Sequence, residues 1–372
     1  MLVGKIVDDL LISESSSEHE YAKRIIKLLS VRFEQLTFSF NPTSFAGFKL
    51  TYNVGGSITM SCPLKLEEAM QRHLPALVDR PPAPHELLRG KALRDALDGL
   101  KLKPGPRPIK MTAEHAQYQA LVGELRFPSQ VDPAMKLPLH KLSRVASNPP
   151  EEALVVAFSC LYDAHLARFR GLTFGGSLAL RQPLSLDQHL TVDLGAGAPV
   201  GLETFADATW GDPSDDKYGI LITFNGAAVF DEAKMIHLAC NSSTQGEGVA
   251  SVKASEVTCF IRNILADAGF DTSEPTLLGS DNSGNVTVIN GTGAPSRIKH
   301  ALRRYAILMQ RVKEGEVKLC HVADVENPAD FLTKWLVGAK FNDSITYATG
   351  SRNHPDVAKL PSVASRKVKK PG

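Results

Sequence analysis

The order of strand and helix patterns predicts a mixed α/β protein built from two or three folding units. At 372 residues the chain is longer than most single domains. Beyond Gly195 the patterns run strand, paired strands, helix, strand, helix, strand, helix, the order of a mixed sheet with flanking helices. Upstream, the first residues read strand, turn, strand, helix, and Ala116 to Phe169 is mostly helical. A hydrophobic fraction of 43% and a charged fraction of 22% allow a core of normal size and exclude wholesale disorder.

Taken in order, Val3 to Val7 and Leu10 to Ile12 are apolar runs broken by Asp8-Asp9. A helix follows with Tyr21, Ile25, Leu28 and Leu29 at helical spacing. Strand-like runs Leu36–Phe40 and Phe45–Tyr52 lead to a turn at Gly55-Gly56 and a helical pattern from Leu64 to Leu77. Pro81-Pro82-Ala83-Pro84 and Pro104-Gly105-Pro106 read as surface loops. Pro149 and Pro150 open the helix that carries Val155, Cys160, Leu161 and Leu166. Gly195 to Pro199 is the strongest domain boundary. After it come strand Leu202–Ala208, paired strands Tyr218–Val229 and Met235–Ala239, and a helix from Thr244 to Ala268. That helix places Val249, Val252, Val257, Phe260, Ile264 and Leu265 on its expected apolar side. A strand ending at Asp281, a helix through Leu302 and Tyr305, strand Val317–Val322 and a last helix from about Asn327 complete the pattern. Four divisions follow: 1–60, 61–195, 200–345, and a basic, disordered tail over 346–372.

The net charge of +2 does not announce a nucleic-acid binder, so any such binding must come from local patches. Cys62, Cys160, Cys240, Cys259 and Cys320 lie far apart and read as reduced, buried thiols. No apolar run reaches the roughly 18 residues of a membrane span, and the apolar start is too short for a signal peptide. The chain is therefore expected in the cytoplasm or nucleus and not secreted, and the sequons at Asn241, Asn285 and Asn290 carry no weight. His237 and His321 read as packed or surface histidines, and Gly175-Gly176 and Gly291-Thr292-Gly293 as turns.

Four acids stand where such a fold can gather them. Asp207 ends the first strand of the last domain, Glu247 opens its long helix, Asp281 ends a later strand and Asp330 starts the last helix. Carboxylates so placed repel one another and are tolerable when cations neutralise them. Hard oxygen ligands suit magnesium or manganese, and two such ions can support phosphodiester hydrolysis. Spacing alone leaves open that these are unrelated surface acids among the 40 in the chain.

The words around them narrow the choice. Phe205-Ala206-Asp207-Ala208-Thr209-Trp210-Gly211-Asp212 resembles the string that opens the RNase H domain of copia-type retrotransposon Pol polyproteins. Asn241 to Glu247 is similar to that family's helix start, with Gln245 in place of its first glutamate and Gly248 in place of its aromatic. Ser280-Asp281-Asn282, Ile298-Lys299-His300 with Arg304-Tyr305, and Asn327-Pro328-Ala329-Asp330-Phe331-Leu332-Thr333-Lys334 resemble its later motifs in the same order. The resemblance implies an RNase H-like fold, two divalent ions (Mg2+ or Mn2+) held by Asp207, Glu247, Asp281 and Asp330, and an RNA–DNA hybrid as substrate. The replacement at Gln245 removes none of the four, and Gly248 is expected to loosen packing.

Upstream, Tyr118 to Gly123 and Leu142-Ser143-Arg144 with Asn148-Pro149 are similar to the family's connection segment, degraded at Gln130 to Pro133. Val7-Asp8-Asp9-Leu10-Leu11-Ile12 looks like its reverse-transcriptase palm hairpin, with Ile6 in place of a tyrosine. From the residues alone, Asp8-Asp9 is a hairpin turn or a metal site in equal measure. The resemblance makes 1–60 a palm remnant, 61–195 a thumb-like and connection region, and 200–345 the RNase H-like domain. Primer extension is not expected from this chain alone, since the palm's other aspartate is not among these residues. His300, Arg303, Arg304 and Arg311 form a basic helix that could track phosphates or simply face solvent. The reading is an RNase H-type endoribonuclease within a polyprotein whose other parts are possible partners, in a virus-like particle or the nucleus. The alternatives are an inactive fragment or a non-catalytic nucleic-acid-binding module.

Overall fold

Short apolar and aromatic runs closed by turns build the upstream strands. The computed structural model describes residues 2–6, 9–13, 42–53, 57–83, 85–105, 111–175, 201–212, 215–238, 240–268, 270–291 and 302–351, with isolated helical positions at 24, 27, 28, 30 and 31. β1 (Leu2–Ile6) and β2 (Asp9–Ser13) pair antiparallel with Ile6 opposite Asp9, as the apolar runs on either side of the aspartates predict. Asp9 opens the second strand, and Asp8 lies outside the described residues. A second sheet has the order β3 (Ser44–Phe45), β4 (Phe48–Tyr52), β5 (Ile58–Ser61), β6 (Gly171–Phe174), antiparallel throughout. Ser61 sits opposite Gly171, so the sheet spans the expected division at residue 60.

Between β5 and β6 lie α1 (Pro63–His73), α2 (Gly90–Gly99), α3 (Ala113–Arg126), α4 (Lys136–Val145) and α5 (Ala153–Leu166). Thr112 starts α3 by accepting the His115 N–H on its side chain. Ala153, Val156, Ala157, Cys160, Leu161 and Ala164 leave α5 buried on most of its surface, and the other helices pack around it. Tyr118, whose ring is 1% exposed, donates its hydroxyl to the Leu142 carbonyl at 2.8 Å and so ties α3 to α4.

The second half forms the mixed sheet that its element order predicts. β7 (Glu203–Ala208), β8 (Lys217–Phe224) and β9 (Ala227–Met235) are antiparallel neighbours, and β10 (Thr276–Ser280) lies parallel to β7 and to β11 (Val317–His321). The order is β11-β10-β7-β8-β9. One expected strand, Tyr218–Val229, is two, because Asn225 and Gly226 adopt positive φ of 49° and 106° and close a tight hairpin. α6 (Ser243–Asp267), α7 (Ser283–Ile289) and α8 (Leu302–Lys313) cover the sheet.

The expected apolar side of α6 packs only in part, with Val249, Val252 and Val257 partly buried at the margin of a face made of smaller residues. Gly246, Glu247, Ala250, Ser251, Ala254, Ser255 and Thr258 face inward, while Phe260 and Ile264 are exposed. Small side chains let the helix lie close on the strands, with the Thr258 and Thr204 hydroxyls 2.7 Å apart. Gly248 does not loosen this packing. A Cβ there would fall 1.6 Å from the Tyr305 hydroxyl, so a ring from α8 fills the space beside Gly248.

The last helix begins later than expected. Short 3-10 turns at Asp324–Glu326 and Asp330–Leu332 precede α9 (Gly338–Thr349), which ends on Gly350 in the left-handed region. α9 crosses the expected limit at residue 345 and buries Ile345, Tyr347 and Ala348. These three share one core with Phe205 and Leu221 below, with Phe48 and Leu172 of the upstream sheet, and with Cys62 at the cap of α1. The basic tail from Ser362 lies outside the described residues.

Candidate active site

β7 and β10 run side by side in the same direction, so their C-terminal ends bring Asp207 and Asp281 to one edge of the sheet. Glu247, in the second turn of α6, reaches the same edge and accepts the Ala208 backbone N–H at 3.0 Å. Carboxylate oxygens of Asp207, Glu247 and Asp281 all lie within 4.8 Å of one another. Asp281 is also within that distance of Asp330 and Asp324. All four acids expected from the sequence therefore meet, and a fifth, Asp324, joins them.

Asp330 comes to the site on a turn, not on the start of the terminal helix. Asn327 donates its side-chain N–H to the Ala206 carbonyl at 3.1 Å, which pins the segment to β7. Gly219, opposite Asp207 in the β7–β8 ladder, lets the turn approach, since a Cβ there would lie 2.6 Å from the Leu332 Cβ. Thr333 then donates its hydroxyl to the Asp207 carboxylate. Lys334 places its ammonium 3.2 Å from Asp207, 3.6 Å from Asp330 and 3.9 Å from Asp324. Lys340, on α9, contacts Asp330 directly and approaches Asp324 at 3.9 Å. Asp207 and Asp330 are fully buried, while Asp281 is half-buried and one residue beyond its strand. Asp330 is thus firmly held.

Burial, reinforced by Asp207 and Asp281, pushes the Glu247 carboxyl up to about 9. Burial and then Asp207 lift Asp330 to about 6. Asp207 and Asp281 also rise, chiefly through burial, with Lys334 opposing. Burial disfavours the Lys334 charge, but Asp207, Asp330 and Asp281 outweigh it and hold the ammonium above its usual range. Folded carboxyls that retain protons make the metal-free protein more stable when they are protonated. Glu247 holds more proton in the folded than in the unfolded state from about pH 4.5 to about pH 9, so its contribution to stability falls as pH rises through that window. In chelator the melting temperature is expected to drop by several degrees from about pH 5 to about pH 9. Glu247→Gln should flatten the drop, and a melting temperature that climbs over this range would reject it.

The expected basic helix joins the site less fully. His300 is outside the described residues, and nothing is described of the Arg303 and Arg304 side chains. Arg311 donates to the Ser255 hydroxyl at 2.7 Å and lies 3.9 Å from Glu316, so it binds α8 to α6. Its spacing of three from buried Leu308 is the signal for that inward face. Asp324, Lys334 and Lys340 escaped sequence reasoning as site residues. Only Lys334 carried a hint, as the last residue of its motif. His321, read as packed, sits with Nε2 3.1 Å from the Asp281 carbonyl and steadies that acid's backbone. Among the described residues no helix is long and apolar enough to cross a membrane.

No protein-family model matches the chain. Over 230 residues, 61% of the chain, it is 23% identical to a retrovirus-related Pol polyprotein from transposon RE1 of Arabidopsis thaliana, and the match spans 14% of that protein. Transposon RE2 of the same plant gives 22% over 230 residues and 14% of its length. A Pol polyprotein from transposon TNT 1-94 of Nicotiana tabacum gives 25% over 150 residues, 40% of this chain and 11% of that one. The chain is thus similar to a small part of each polyprotein. Among solved structures, a foamy viral protease-reverse transcriptase in complex with RNA/DNA hybrid covers 91% of this chain at 12% identity, with 37% of its own length matched and a TM-score of 0.41. An LC11 RNase H1 in complex with RNA/DNA hybrid covers 36% of this chain and 93% of its own at 15% identity, with a TM-score of 0.27. The four acids thus stand in ordered motifs along one edge of a five-stranded mixed sheet, in a chain similar to the retrotransposon Pol polyproteins.

Proposed function

We propose that the chain is an RNase H-type endoribonuclease that cuts the RNA strand of an RNA–DNA hybrid with two divalent ions, Mg2+ or Mn2+. The observation that carries the reading is the convergence of Asp207, Glu247 and Asp281 within 4.8 Å, with Asp330 beside them. The residues fit hard cations. All donors are carboxylate oxygens, and the buried Asp330 Oδ1 has no hydrogen-bond partner. Asp207, Glu247 and Asp281 would hold one ion, and Asp330 would complete the second site. When bound, the ions would supply an activated water and stabilise the leaving oxygen.

The chain's own groups orient and neutralise. The Ala208 N–H fixes Glu247, the Thr333 hydroxyl fixes Asp207, and Lys334 and Lys340 offset part of the acids' mutual repulsion. Residues 1–60 and 61–195 are proposed to descend from palm, thumb and connection, with the division placed elsewhere than inside the β5–β6 pair.

The test is cleavage of a labelled hybrid by the full chain. Cutting should require magnesium or manganese, stop in chelator and spare DNA duplex, because the 2′-hydroxyl distinguishes RNA at a site. A folded preparation that leaves hybrid intact at every metal concentration would favour the inactive-fragment reading.

A further inference from the structure

Beside the acids, a cleft of about 270 Å³ opens between the upstream helices and the β7–β8 loop. Two of its walls belong to the site itself, for Thr333 and Lys334 line it and both contact Asp207. Whatever fills the cleft therefore lies against the catalytic edge.

Two indoles border it in fixed poses. Trp210 donates its ring N–H to the Cys240 carbonyl at 3.0 Å, yet is 49% exposed. Trp335 donates to Asp98 Oδ2 at 2.8 Å, and Asp98 belongs to α2, outside the RNase H-like sheet. Lys141 of α4 is 4% exposed and bridges Asp98 at 2.9 Å and Asp215 at 2.8 Å, locking that wall in place. Aromatic faces held before binding offer stacking area at little ordering cost.

The charges disfavour a phosphate inside the cleft itself. Asp98, Asp212, Asp215 and Asp216 line the cleft against Lys141, Lys217 and Lys334, and each lysine already pairs with an aspartate. A phosphate would meet net negative charge, whereas a neutral group rich in hydroxyls would find acceptors. The volume is that of about nine waters, at roughly 30 Å³ each.

We propose that this cleft receives the ribose of the RNA-strand nucleotide next to the cut bond, with Asp98 and Trp335 helping to select RNA. The upstream helical region would then supply part of the substrate site. This rests on the nuclease reading above.

The test uses the full chain and a set of hybrids, each with a single 2′-deoxynucleotide at one position around the cut bond. Wild type should show one position where the deoxy sugar lowers cleavage about tenfold or more, the scale of one hydrogen bond to a charged group. Asp98→Asn and Trp335→Ala should shrink that penalty to about twofold, and Trp335→Phe should keep most of it. Melting in chelator checks the fold of each variant. If wild type cleaves and the variants keep its profile, the cleft assignment is wrong while the nuclease reading stands. If wild type cleaves no hybrid, the nuclease reading falls, and hybrid binding with calcium, followed by fluorescence anisotropy, judges the cleft alone. Equal affinities for all variants and all sugars would overturn it.

Discussion

Asp207→Asn is expected to lower hybrid cleavage by on the order of a thousandfold, the loss of several kcal/mol of stabilised charge. Asp207 is fully buried, within reach of Glu247 and Asp281, and held by Thr333 and Lys334. It is the most deeply buried acid of the Asp207–Glu247–Asp281 group, so its charge cannot be replaced from solvent. The fold should survive. Five acids meet two lysines at this edge, so one fewer anion relieves repulsion without metal. The same argument applies to Asp330. Buried and fastened by Lys340 and Lys334, it is as rigid as the strand-borne acids, and Asp330→Asn should cost at least as much as Asp281→Asn. Cleavage at several magnesium concentrations, beside melting in chelator, measures this. Activity of Asp207→Asn within about tenfold of wild type would remove the site from consideration.

Gly219→Val should damage the same site without touching an acid. Its side chain would meet Leu332 Cβ at 2.6 Å, Thr333 Cγ2 at 3.1 Å and the Ala329 carbonyl at 3.3 Å. The turn that carries Asp330, Thr333 and Lys334 must lift off β8. Overpacking of this kind costs about 1–3 kcal/mol of stability, and a shift of about 1 Å at a reacting centre costs on the order of a hundredfold in rate. Gly219→Ala should fall between wild type and valine. The discriminating measurement is kcat at temperatures where both variants are folded. Full kcat in a folded Gly219→Val protein would show that the close approach has no role in placing Asp330.

The acids were legible because each stands in a short motif at the end of a strand or near the start of a helix. The side-by-side placement of β7 and β10 belongs to the sheet topology and not to the element order. The turn at Asn225-Gly226 was also written in the residues, in the pair that favours tight hairpins, but an apolar pattern on both sides masked it. β6 left almost no trace, since Gly171–Phe174 is four residues long and draws its pairing from Ile58–Ser61 far upstream. Lys340 and Asp324 enter the site through tertiary geometry that no spacing rule reports. The inward side of α6 misled for a physical reason. Hydrophobic periodicity marks the greasiest face, while close packing on a sheet selects the smallest one.

The core that joins Tyr347 and Ala348 to Phe48, Cys62 and Leu172 ties the fate of the two halves together. A truncation at the glycine-rich boundary would strip α9 and β8 of their neighbours and leave apolar surface open to aggregation. Substitutions at Leu172 should then reach the nuclease edge through foldedness alone, and heating should melt both halves in a single step. In a lineage accumulating changes, the upstream half would stay under constraint as long as the acid-lined edge is needed.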